Sequence, residues 1–436
     1  MRRISMKTML LSPVFAMALS PAVYAAPSDA EALAELKRVI AQQQKMIETQ
    51  SRALESLASK VEALSAKTRG NQAAASSQAA SSPQAAAPAA KVVTSGEENI
   101  SLAISGQVNR GALYYDDGDS SDVLHVDNDN SSTRIRLVGK GKVNDDVTIG
   151  TEIEVQMESN STASVSQLND NGVGGASFTE RKLEVYFDSK RLGRVWIGQG
   201  DTASNGTSEM DLSGTSVVNY SSIADMAGGL FFQDNTPITA ANPRIGLVFS
   251  NFDGLSRDDR IRYDTPKLAG FTLSASHISG GAWDVALRYA ADYEKAGIKT
   301  AAAVAYADGA AINSFDEQLN GSLSLLHRSG INGTFAAGTR SLEAAGRSDA
   351  NFIYGKIGYI ANLTAIGDTA FSIDYMQADD VAATGDDATT YGVFAVQKLT
   401  KFGTELYGGI RNHELDRPGR NYDDVQAVLV GTRVKF

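Results

Sequence analysis

Residues 258–276, DDRIRYDTPKLAGFTLSAS, state the unit from which most of the chain is built. Ile261, Tyr263 and Thr265 alternate with Arg260, Arg262 and Asp264; residues 266–270 turn the chain; Phe271, Leu273 and Ala275 then alternate with Thr272, Ser274 and Ser276. A period of two sends successive side chains to opposite faces of a strand, so this is a β-hairpin with one apolar and one polar face. One such hairpin suits a soluble sandwich as well as a barrel in lipid. How many follow, how their connections alternate and what stands in front of them separate the two.

Working outward, the same period predicts strands over 100–115, 132–143, 146–158, 178–189, 193–201, 257–266, 269–279, 282–294, 297–308, 317–329, 331–342, 350–363, 368–379, 387–399, 402–414 and 423–436. That is sixteen, an even number. The connections fall into two alternating classes: short ones such as 144–145, 190–192, 267–268, 295–296 and 400–401, and mostly long ones such as 116–131, 159–177, 202–256 and 415–422. Residues 280–281 break the rule by being short where a long loop is due. Short turns on one side and long loops on the other mark an outer-membrane barrel, and an even count puts both barrel ends on the short-turn, periplasmic side.

The two faces agree. Ile135 and Leu137 oppose Arg134, Arg136, Lys140 and Lys142, and Val147, Ile149, Ile153 and Val155 oppose Glu152, Glu154, Gln156 and Glu158. In a sandwich the charged face would meet bulk water. In a lipid-embedded barrel it lines a wet lumen, with aromatics such as Tyr289, Tyr293, Tyr306, Tyr359 and Tyr375 near the interfaces. The expected fold is therefore all-β, a sixteen-stranded antiparallel transmembrane barrel over 100–436.

Three segments precede it. Residues 1–25 combine a basic start, an apolar run over 9–19 and a small-residue cleavage pattern, which predicts a secretory signal peptide. Leu33, Leu36, Ile40, Gln43, Ile47, Gln50, Leu54, Leu57, Val61 and Leu64 step by three and four, which predicts a left-handed coiled-coil helix over 29–69. Residues 70–95, rich in Ala, Ser, Gln and Pro, predict a flexible linker.

Composition narrows the function. Cysteine is absent, which removes disulfides and thiolate chemistry together. The formal charge is −11, and removal of the leader leaves 37 basic against 51 acidic residues, so nucleic acid is not an expected partner. His125, His277, His327 and His413 lie far apart with no metal-ligand spacing, and no G-x-S-x-G elbow occurs. Neither an enzyme nor a cofactor is expected.

The pieces STRIRLVGKGKV (132–143), LGRVWIGQGD (192–201), DDRIRYDTPKLAGFTLSAS (258–276), VQKLTKFGTELYGGIRN (396–412) and VGTRVKF (430–436) resemble, in colinear order, the sixteen-stranded trimeric porins of Gram-negative outer membranes. The coiled coil and linker depart from the simplest members and are similar to porins with a periplasmic helical extension. The resemblance implies passive diffusion of ions and small hydrophilic solutes, a homotrimer among outer-membrane lipid and lipopolysaccharide, and Phe436 after an alternating strand as the signal to the barrel-assembly machinery. It also implies that the longest connection, 202–256, enters and narrows the barrel. Glu209, Asp211, Asp225 and Asp234 are then the candidate acidic side of the constriction, and Arg134, Arg136, Lys140, Arg260 and Arg262 the candidate basic wall. Charges of opposite sign across a narrow lumen set up a transverse field. Strand parity fixes the basic side but nothing fixes the acidic one, so preference for anions or cations stays open.

The acidic run 116–129 reads as a solvated loop, with cations bridging lipopolysaccharide as the alternative; it lacks the pattern of a defined calcium loop. Two other functions compete: a channel selective for one anionic solute, and a structural anchor whose coiled coil grips peptidoglycan.

Overall fold

The computed structural model describes residues 91–94, 100–170, 177–234, 236–312, 315–342 and 346–436. The expected signal peptide, the coiled coil over 29–69 and the linker up to residue 90 lie outside them. The linker's expected end at 95 is corrected: Lys91–Thr94 is a short strand antiparallel to residues 101–104.

Among the described residues, sixteen long strands close into one antiparallel sheet: β1 Ile100–Asp116, β2 Arg134–Lys142, β3 Val147–Glu158, β4 Ser177–Ser189, β5 Gly193–Asp201, β6 Arg257–Asp264, β7 Phe271–Ile278 and β8 Trp283–Tyr293, then β9 Ile298–Asp308, β10 Glu317–His327, β11 Ile331–Arg340, β12 Ala350–Thr364, β13 Gly367–Asp379, β14 Asp387–Leu399, β15 Thr404–Arg417 and β16 Val425–Lys435. Each pairs with its neighbour in sequence. The ring shuts where β16 meets β1, from Gln426 opposite Asp116 to Lys435 opposite Gln107. Phe436 extends this seam by exchanging two backbone hydrogen bonds with Gly106, at 2.9 and 3.0 Å. Its ring lies where a methyl group on residue 106 would have to be, which is why that residue carries no side chain.

The outer face is apolar and uncovered. Ile261 is 59% and Leu273 52% exposed, and among the described residues no second sheet packs on either. Tyr263, Phe271, Trp283, Leu287, Tyr359 and Tyr375 share that surface. In water such a belt would be untenable, whereas in hydrocarbon it needs no cover.

The inner face holds a surprise for parity. Over β2 to β6 it is ionic, as expected. Over β11 to β16 and β1 it is largely apolar, with Phe352, Tyr354, Met376, Phe394, Leu429 and Leu113 all buried. These residues pack against Val218, Ile223, Met226, Leu230, Phe232, Ile245, Val248, Phe249 and Phe252 of the 202–256 connection, including its two short helices, Ala224–Ala227 and Ile245–Val248. The long loop therefore carries its own hydrophobic core into the barrel and fixes it to one half of the wall.

The 116–131 connection is also more ordered than its acidity implies. Ser121–Asp127 is a strand that pairs with the upper part of β1, above the start of β2. Asp117 is buried and accepts the backbone N–H groups of Asp119 and Ser120, at 3.1 and 2.7 Å. Asp127 is buried too, and takes Arg110 at 2.7 Å and the N–H groups of Ser159 and Asn160. Both carboxylates are spent on this chain's own groups, which corrects the reading of a plain solvated loop for these two, while Asp116, Asp119 and Asp122 stay exposed as that reading expects.

Candidate functional site

The loop is tethered at three places. At its start, the Asp284 carboxylate on β8 accepts the N–H groups of Ala203 and Ser204, at 3.2 and 2.8 Å, and the hydroxyls of Ser204 and Ser276. In its middle, the Lys356 ammonium on β12 donates to the Asp211 carboxylate and to the carbonyl and side-chain oxygens of Asn219, both at 2.9 Å. Asn219 in turn donates to Asp374 at 2.6 Å, which also holds the buried Arg411 at 2.6 Å. At its end, Phe252, at φ +46°, is held by Gln318 donating to its carbonyl at 2.6 Å, while back at the loop's start Arg262 donates to the Thr202 carbonyl at 2.9 Å.

With the loop fixed against β11–β16, the polar wall of β2–β8 is left facing its other side. Glu154 on β3 collects three guanidinium groups: Arg136 at 2.6 Å, Arg181 at 2.7 Å and Arg134 at 3.4 Å. Beside it, Lys182 bridges Asp201 at 2.7 Å and Glu152 at 3.3 Å, and Arg257 meets Asp201 at 2.9 Å. Arg262 pairs with Asp264 at 2.8 Å. Arg260 is bound to Glu184, and both side chains are only 1% exposed.

Opposite this wall stand three loop acids. Glu209 accepts from Asn251 at 3.0 Å, Asp253 from the Gly206 N–H at 2.8 Å, and Asp225 from the Tyr220 hydroxyl. They are crowded by protein yet not sealed from the lumen. Burial, then the charges of Asp253 and Asp225, push the Glu209 carboxyl well above its usual range. Burial and the Asp129 charge push Asp225 up to about 7. Burial likewise raises Asp253 to about 6, against the opposing pull of its backbone donors and of Arg257 and Arg288. Desolvation and mutual repulsion act in the same direction here, since both disfavour the ionised form.

The sequence-derived residues thus divide. Arg134, Arg136 and Arg262 lie on the ionic wall of β2–β6, and Glu209 and Asp225 lie on the loop, where Arg257 of that wall is close enough to act on Glu209. Arg260 is on the same wall but is consumed by Glu184. Lys140 is on the same face, four residues nearer the short-turn end than Arg136, and exposed. Asp211 faces the opposite wall, where Lys356 neutralises it, and Asp234 pairs with Arg420 at 3.1 Å among the outer loops. Sequence reasoning missed Arg181, Arg257, Arg288 and Asp253. Arg288 carried a parity signal. Arg181 carried none, because a bulge between Glu154 and Val155 shifts the register of β4 and lets both Arg181 and Lys182 point inward. Among the described residues no cluster of His, Cys, Asp and Glu could hold a metal ion.

The profile of the Gram-negative porin family matches residues 72–418. The chain belongs to the Gram-negative porin family. Two solved structures with the same barrel are an anion-selective porin from Comamonas acidovorans and a loop L8 deletion mutant of OmpT from Vibrio cholerae. The first is 15% identical, with 77% of this chain and 100% of that one aligned at a TM-score of 0.52. The second is 11% identical, over 78% and 100%, at a TM-score of 0.51. Among curated protein sequences none matches the chain. Family and fold make this porin an outer-membrane channel for passive diffusion of ions and small hydrophilic solutes. They do not favour the single-solute channel or the structural anchor, and they point to a channel rather than an enzyme.

Proposed function

We propose that the porin's water path is the crescent between the 202–256 loop and the wall of β2–β8, and that it prefers small anions. The observation that carries this is the charge balance across the crescent. The wall presents Arg134, Arg136, Arg181, Lys182, Arg257, Arg260, Arg262 and Arg288 against Glu152, Glu154, Glu184, Asp201, Asp264 and the loop-holding Asp284, still a surplus of cations. The facing acids, Glu209, Asp225 and Asp253, are the ones whose ionisation is held back. A solute in the gap meets fixed positive charge on one side and carboxyl groups that are partly protonated at neutral pH on the other. In a bilayer with a tenfold KCl gradient, the reversal potential should have the sign of chloride preference; a potassium-preferring value overturns the reading.

The porin is further proposed to act as a homotrimer, with the helices of residues 29–69 bundled in the periplasm below it, surrounded by lipid and lipopolysaccharide. Phe436 is proposed to be read by the barrel-assembly machinery. The narrow heptad stripe and the exposed terminal ring support these two readings.

A further inference from the structure

Most arginines of the inner wall are matched with a carboxylate: Arg136 with Glu154, Arg260 with Glu184, Arg262 with Asp264, Arg411 with Asp374, Arg433 with Glu405. Arg340 is different. It ends β11 at the long-loop side, faces inward, and has no acid partner among the described residues. Its guanidinium carbon lies over two aromatic rings, 4.5 Å from the centre of Phe252 and 4.9 Å from that of Phe315. Its Nε donates to the side-chain Oε1 of Gln318 at 2.8 Å, and the Nε2 of the same side chain donates to the Phe252 backbone carbonyl at 2.6 Å. Phe252, Phe315 and Gln318 are all buried, so this frame is rigid. Among the described residues its two terminal nitrogens have no hydrogen-bond partner, and the residue is only part-buried.

We infer that Arg340 is an anion-capture site at the outer mouth of the lumen, taking the carboxylate group of a small organic solute before it reaches the constriction. A guanidinium held against two rings and bonded through its Nε keeps the edge carrying both terminal nitrogens to offer. That edge matches a carboxylate in a two-point fashion. The rings polarise toward the cation and keep it in the plane, so little side-chain freedom is lost when an anion arrives. The inference rests on the lumen being an open solute path and is independent of which ion the constriction prefers.

The test is single-channel recording with benzoate added to one compartment at a time. Benzoate from the long-loop side should interrupt the current at lower concentration than from the other side. Arg340→Met, which keeps the stem between the rings, should weaken that block about tenfold or more, as expected for loss of a charge-assisted bidentate contact. Arg340→Lys, which keeps charge but not the fork, should recover only part. The KCl reversal potential should stay at the wild-type value in both, which separates this site from the constriction. Equal block from both sides in the wild type, or an undiminished block in Arg340→Met, overturns the proposal.

Discussion

Lys356 on the wall and Asp211 on the loop form an ion pair closed to water, with side chains 0% and 5% exposed. A buried pair contributes little over an apolar substitute, but breaking it strands a charge. Lys356→Met should therefore destabilise the barrel by about 3–5 kcal/mol. The double change Lys356→Met with Asp211→Leu should restore most of the loss, as read by thermal unfolding in detergent. A double variant as unstable as the single would mean that Lys356 acts through its two bonds to Asn219 or its packing and not through Asp211.

Acidity should tune selectivity. Asp225 and Asp253 take up protons near pH 7 and pH 6, and Glu209 also well above its usual range. As pH falls from 8 to 5 the loop loses negative charge while the arginines keep theirs, so the reversal potential should move toward chloride, most steeply between pH 7 and 6. These carboxyls bind protons more readily folded than unfolded, so they favour the folded barrel at acid pH and that contribution is lost as pH rises through the same window. Asp225→Asn with Asp253→Asn should flatten the selectivity curve.

Arginines on one wall should separate by role. Arg257→Gln should move the reversal potential toward potassium with little loss of stability, because its partner Asp201 keeps Lys182. Arg260→Met leaves Glu184 buried and unpaired, and should lower the unfolding temperature, with a cost of about 3–5 kcal/mol, while shifting selectivity little.

The helical extension is tested by removal. Deleting residues 29–69 should lower the temperature at which the assembled porin dissociates in detergent, with single-channel conductance unchanged. An unaltered dissociation profile would exclude a role in assembly.

Strand number, closure and the wet side of β2–β6 were legible because those strands alternate strongly: Arg134 and Arg136 against Ile135 and Leu137 leave one assignment. The filled half of the lumen was not. In β12, ANFIYGKIGYIANLT, Phe352 and Tyr354 point inward while Ile353 and Ile357 point outward, so both faces are apolar and the period is muted. The sequence also carries no mark that Lys356 pairs with a residue 145 positions away. A loop's acids can be counted from composition, but which of them reach the lumen depends on the hydrophobic side chains that seat the loop.

The seam of β16 on β1 has a bearing on how the chain can enter a bilayer. An open sheet of fifteen strands would present two rows of unanswered peptide groups to hydrocarbon, each group costing several kcal/mol. Fifteen sixteenths of this cylinder is thus no leaky pore; it is a ribbon that fat rejects. Residence in the membrane is a property of the completed ring, gained in one step when its two edges find each other.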